Sequence, residues 1–295
     1  MVNSSARSAA GVACIVVSGV AFGVLAILAR YAYAAGVDTA TLLALRFAIA
    51  TAVMVPVMLA RGIPLPRGRV LGALVVLGVL GYAGQSFTFF TALTLAPAGL
   101  VALLLYLYPA LVALLSALLL NEQLTKAKLG ALGMALAGMA LTVAPSLAGA
   151  APAANPAGIA LGVAAAAIYA VYIIAGARVG RMVSPLAMST VVIASAGMVF
   201  VIIALARGPA WPHTAGGWIA VACIAVISTV VAITLFFAGL DRIGPTRAAT
   251  LSTVEPLVTV ALAATVLGEP ISPVQVVGGI LILAAVVLLA RAKTA

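Results

Sequence analysis

Charge is what this chain has least of. Only 7% of its 295 residues are Asp, Glu, Lys or Arg, and just five are acidic. A soluble domain covers itself with roughly a quarter charged residues, so a soluble enzyme is excluded as the starting hypothesis. Histidine is nearly absent. The one copy, His213, sits beside Trp211 and Pro212 in a polar connection, where a solvated side chain is the plain expectation. With one histidine there is no HExxH zinc motif, and neither GxSxG nor a Gly-rich Lys phosphate loop occurs. An intramembrane enzyme and direct ATP drive therefore lack their residues, and no metal, cofactor or ATP-binding domain is expected. The two cysteines, Cys14 and Cys223, stand apart in apolar runs and read as small buried hydrophobes. A continuous polar stripe of the kind a channel needs is also missing.

What is present is apolar: 66% of the chain is hydrophobic. A bilayer-crossing helix needs about 20 mostly apolar residues. The chain holds ten such runs, near 9–29, 38–60, 70–93, 98–120, 126–144, 157–177, 185–206, 216–238, 247–267 and 272–290. The expected fold is an all-α integral membrane protein, and no connection is long enough for a soluble domain. The first run is too long for a signal-peptide core and has no convincing cleavage site, so it reads as a retained span. The net charge of +10 does not indicate nucleic acid, because the basic residues are dispersed at the ends of apolar runs. It indicates orientation instead. With the N-terminus inside, the inner segments hold Arg7, Arg61, Arg67, Arg69, Lys126, Lys128, Arg178, Arg181, Arg242, Arg247, Arg291 and Lys293. The outer ones hold only Arg30 and Arg207. Both termini are thus expected in the cytoplasm.

The chain also repeats itself. Residue i resembles residue i+147 without gaps: Gly11 and Gly158, Phe22 and Tyr169, Phe89-Phe90 and Phe236-Phe237, Ala102 and Ala249, Pro109 and Pro256, Glu122 and Glu269. Each half carries five spans, an odd number, so the halves cross in opposite directions. The loop charges agree. The connection carrying Lys126 and Lys128 has a counterpart without Lys or Arg, while the one carrying Arg242 and Arg247 matches another that lacks both. The expected layout is a five-helix repeat over 9–144, a Pro/Ala-rich connection over 145–156, and an inverted repeat over 157–291. Inverted repeats are the pattern of alternating-access transporters, with a site at the repeat interface near the midplane.

The segments Ala96-Pro97-Ala98-Gly99-Leu100, Leu107-Tyr108-Pro109 and Asn121-Glu122, mirrored by Gly244-Pro245-Thr246-Arg247-Ala248-Ala249, Val254-Glu255-Pro256 and Gly268-Glu269-Pro270, carry a family resemblance. The chain resembles the drug/metabolite transporter superfamily in its EamA-type ten-span branch, over nearly its whole length. The resemblance implies a bacterial inner-membrane secondary transporter exporting amino acids, aromatic and branched types included, or related metabolites. Drug, nucleoside and other carriers belong to the same superfamily and stand as alternatives. The oligomeric state is not legible.

Ionisable residues inside spans are costly and are functional candidates by default. Glu255 lies ~13 Å from the inner surface and Arg46 ~12 Å from the outer one at 1.5 Å per residue. Their depths are close enough for long side chains to meet. They form either a charge pair or two anchors for a substrate's ammonium and carboxylate; a snorkelling Arg is the plain alternative. Tyr82, Gln85 and Phe89 share one helix face by their spacing. Tyr106 shares a face with Ala102 and Pro109, and Thr253 shares one with Thr246 and Thr250. Phe22 and Tyr169 are repeat counterparts near mid-depth. The candidate substrate site is thus Tyr82, Gln85, Tyr106, Phe22, Tyr169, Glu255, Arg46 and Thr253, with ordinary packing the alternative for any single Tyr. Pro109 and Pro256 interrupt equivalent helices and are candidate hinges. Gly19 and Gly23 read as a close-packing pair, and Glu122 and Glu269 as solvated helix-end charges.

Overall fold

The structure is a computed structural model describing residues 4–120, 125–147, 154–180, 182–243, 251–252 and 254–291. Every regular element among them is helical. Eight described helical stretches are long and apolar enough to cross a bilayer: Ala9–Ala34, Thr39–Ala60, Gly68–Leu95, Ala98–Leu115, Lys126–Pro145, Pro156–Gly180, Pro185–Arg207 and Ala215–Leu240. The shorter apolar helices Val254–Val266 and Pro273–Leu288 follow. In chain order these are spans 1 to 10, and the protein is an all-α, ten-pass membrane protein. Helices suit the hydrocarbon because each satisfies its own backbone N–H and C=O groups.

The ends are set locally. Asp38 caps span 2 by accepting from Thr41 N at 2.6 Å. Ser184 caps span 7 through Ala187 N, with Pro185 in the first turn, and Thr214 caps span 8 through Gly217 N. Span 4 starts at Pro97, which has no side-chain acceptor to offer, and its cap comes from elsewhere. The carboxylate of Glu269, in the connection after span 9, accepts from Ala98 N at 2.8 Å and Gly99 N at 3.2 Å. Glu269 is therefore a capping residue that neutralises a helix N-terminus, not a solvated end charge. Its counterpart Glu122 lies outside the described residues, as do Thr246, Thr250 and Thr253.

The spans pair in a pattern that respects the repeat. Spans 2 and 7, 4 and 9, and 5 and 10 are counterparts packed on each other. Span 1 packs on span 8, and its counterpart span 6 packs on span 3. Small residues permit the approaches. A Cβ on Gly23 would lie 2.8 Å from Glu255 O, which makes the Gly19/Gly23 pair a contact of span 1 with span 9. Hydroxyls stitch the halves together: Ser18 Oγ donates to Ala232 O at 2.7 Å, and Thr259 Oγ1 to Gly23 O at 2.9 Å.

Several features differ from ten uninterrupted helices with the expected bounds. Span 4 breaks at Tyr106 and Leu107, between Ala98–Leu105 and Tyr108–Leu120. Pro109 thus occupies the first turn of the second piece, where a missing N–H costs nothing, and does not extend the face of Ala102 and Tyr106. Pro256 sits in the same way near the start of Val254–Val266. Spans 3 and 8 each contain a π-helical turn, Leu77–Tyr82 and Val226–Val231. Finally, the helix of span 5 runs through Pro145 to Leu147, into the stretch expected to be a connection.

Spans 5 and 10 touch backbone to backbone: a Cβ on Gly138 would lie 2.6 Å from Gly278 O, and the reverse distance is also 2.6 Å. Gly138→Leu is expected to force these helices apart at a cost of roughly 1–3 kcal/mol. The detergent-solubilised variant should melt several degrees below wild type in a size-exclusion thermal assay. Gly130→Leu, where a side chain meets open space, should melt as wild type does.

Candidate functional site

A central cavity lies where spans 1, 2, 3, 4, 6 and 9 converge. Its walls include Phe22, Arg46, Tyr82, Gln85, Phe89, Ala102, Tyr106, Tyr108, Tyr169, Glu255 and Pro256. Seven of the eight candidate substrate residues, scattered over the sequence from 22 to 255, thus meet around one space; Thr253 lies outside the described residues. Of the two candidate hinge prolines only Pro256 lines the cavity. The volume is about 120 Å³, room for about four waters at ~30 Å³ each, which is the scale of a small solute.

Each charged wall residue has an unusual set of partners. Glu255 is held by Tyr106, whose hydroxyl donates to Oε2 at 2.8 Å and also lies 2.9 Å from Ser252 O. One phenolic proton can serve only one of these acceptors at a time. The break in span 4 is what turns Tyr106 toward them, since Tyr106 is the residue that ends Ala98–Leu105.

Arg46 is only 3% exposed. Its Nε donates to Thr229 Oγ1 at 2.9 Å, and Nη2 lies 3.5 Å from Tyr82 Oη, at the limit of a hydrogen bond. The guanidinium carbon sits 5.0 Å and 5.2 Å from the ring centres of Phe47 and Phe90, within cation–π range. Among the described residues no carboxylate pairs with Arg46. The charge-pair alternative is therefore corrected: Arg46 and Glu255 face one cavity without bridging it. Nor does Arg46 snorkel outward, being buried against span 8.

Between these poles runs an aromatic wall. Tyr106 and Tyr108 meet edge to face at 5.9 Å, Tyr108 and Tyr169 at 4.7 Å, and Tyr169 stacks on Tyr172 at 5.9 Å with 12° between planes. Tyr172 then reaches Tyr82, which meets Phe47 at 5.4 Å. Gln85 adds a polar edge, its Oε1 accepting from Ser86 Oγ at 3.4 Å. Such a surface offers flat apolar area with a few polar tips, suited to a small solute with an apolar body.

Sequence reasoning did not reach Thr229, the phenylalanines under Arg46, or the π-turns. For Thr229 a signal existed: it is 147 residues after Tyr82, so the repeat offset that pairs Phe22 with Tyr169 also pairs the two hydroxyl residues on Arg46. The π-turns share no residue pattern, Leu77–Tyr82 reading LGVLGY and Val226–Val231 reading VISTVV.

Comparisons with known proteins bear on the whole chain. A curated protein named as an aromatic amino acid exporter, YddG of Ancylobacter novellus, is 37% identical over 143 residues, which is 48% of this chain and 50% of the relative. This chain thus matches about half the length of that relative. A solved crystal structure superposes with a TM-score of 0.66 at 26% identity, covering 96% of both chains. The EamA-like transporter family matches residues 9–144 and again 156–291. With both five-span halves matched, the chain belongs to the EamA-like transporter family.

Proposed function

We propose that the protein is a secondary transporter that exports amino acids or related small metabolites across the bacterial inner membrane by alternating access. The observation that carries this reading is the pairing of Arg46 and Glu255 on one cavity with no ion pair between them. A buried charge without a counter-charge is expensive. A zwitterionic solute supplies both missing charges at once: its carboxylate meets Arg46 and its ammonium meets Glu255. The tyrosine wall between them receives the side chain, and the rings also attract the ammonium. In this reading Phe22, Tyr82, Gln85, Tyr106, Tyr169 and Thr253 contribute to the substrate site, and the segments at Pro109 and Pro256 flex as the inverted halves rock. The named activity of the Ancylobacter novellus relative agrees with this choice of solute. In this reading both termini face the cytoplasm, and the charge bias of the loops supports that orientation.

The decisive experiment is counterflow in liposomes carrying the purified protein, with a panel of labelled amino acids. Exchange of aromatic or branched amino acids, mutually competing, is the expected result. Absence of exchange for every amino acid, in vesicles containing folded protein, would transfer the reading to a drug or nucleoside carrier. Glu255→Gln should lower amino-acid exchange by about 10- to 100-fold, the scale of a lost charged hydrogen bond, while leaving the protein folded. Full exchange in this variant would remove Glu255 from the site. Ala at Tyr82 or Gln85 should change the order of preference across the panel, and an unchanged order would return both residues to packing.

Orientation has its own test. On a background of Cys14→Ala and Cys223→Ala, a membrane-impermeant maleimide should label Trp211→Cys in intact spheroplasts. Arg67→Cys should label only after the membrane is opened. The reverse pattern would invert the topology.

A further inference from the structure

We propose that Thr229 is a positioning residue for the Arg46 anchor, holding its guanidinium across the interface of the two halves so that the outer nitrogens face the cavity. The inference rests on the amino-acid reading of the site. Thr229 itself does not line the cavity; it stands behind Arg46 and is fully buried. Its hydroxyl is used in both directions, donating to Ile224 O at 2.9 Å and accepting from Arg46 Nε at 2.9 Å. The first bond fixes where the proton points, and so aims the lone pair at Arg46.

The π-turn explains why Thr229 can do this. Ile224 precedes Thr229 by five residues, the π-helical spacing, and Thr229 lies inside Val226–Val231. An extra residue in the turn rotates everything around it relative to a plain α-helix. Its repeat counterpart Tyr82 ends the other π-turn, Leu77–Tyr82, and also reaches Arg46. Arg46 has Ile193 as its own counterpart. A single cation therefore sits between two repeat-equivalent residues, each within the π-turn of its own span. The two grips differ: 2.9 Å to Thr229 of the second half, 3.5 Å to Tyr82 of the first. With Nε spent on Thr229 and Nη2 held only loosely by Tyr82 at 3.5 Å, the two outer nitrogens keep N–H donors for a bidentate carboxylate.

The test uses the full-length protein in liposomes, with labelled phenylalanine as substrate and phenethylamine, the same molecule without its carboxylate, as competitor. Thr229→Val keeps the shape and removes the acceptor. It should raise the phenylalanine concentration for half-maximal exchange about tenfold, the scale of one charged hydrogen bond. Inhibition by phenethylamine should stay as in wild type. Thr229→Ser should restore phenylalanine exchange, and Tyr82→Phe should shift the half-saturation less than Thr229→Val does. If Thr229→Val fails to fold, Thr229→Ala is read in the same way. Unchanged half-saturation for phenylalanine, or equal weakening of both molecules, overturns the positioning role. Saturable wild-type exchange with no effect of either variant sinks this inference alone. No wild-type exchange of any amino acid sinks the functional reading and this inference with it.

Discussion

Hydrocarbon offers no partner to a polar group, and that constraint organises everything else in this molecule. It makes the backbone helical throughout the described spans and leaves few places where a side chain can carry charge. Arg46, Glu255 and Glu269 are exceptions, and each is held by hydrogen bonds that cross from one span to another. Two of them converge on one cavity. The third serves a helix end. Function and architecture therefore draw on the same scarce resource, a handful of polar groups whose partners must come from within the protein.

Much of this was legible in the sequence because the same scarcity leaves marks there. Ten apolar runs, an offset of 147 residues and a lopsided distribution of Lys and Arg are coarse signals summed over many residues. Coarse signals survive single-residue noise. The facing of Tyr82, Gln85 and Glu255 was legible for a similar reason: helical periodicity puts each on a definite face, and a polar residue in a span has to face inward. What was not legible depended on local backbone geometry. The break that ends Ala98–Leu105 at Tyr106 falls before Pro109 and not at it, because a proline is tolerated in a first turn. The first π-turn coincides with a close approach at Gly78, where a Cβ would lie 2.6 Å from Val192 O.

Relations between charges were the least legible. Depth along the span brought Arg46 and Glu255 to similar levels, but depth alone does not distinguish two groups that touch from two that share a cavity. The structure resolves this through Phe47, Phe90 and Thr229, which occupy the surroundings of the guanidinium. Glu269 was misjudged because its partner is a pair of backbone amides in the other half, and amides carry no sequence signature.

That last contact bears on how the chain is made. Span 4 is synthesised before the carboxylate that caps its Ala98 and Gly99 amides, and Pro97 brings no side-chain acceptor of its own. The carboxylate that completes them is 171 residues further along the chain. Until Glu269 is made, those two amides have only water or headgroups to bond. The protein-supplied cap of the first repeat's fourth helix thus waits on the second repeat.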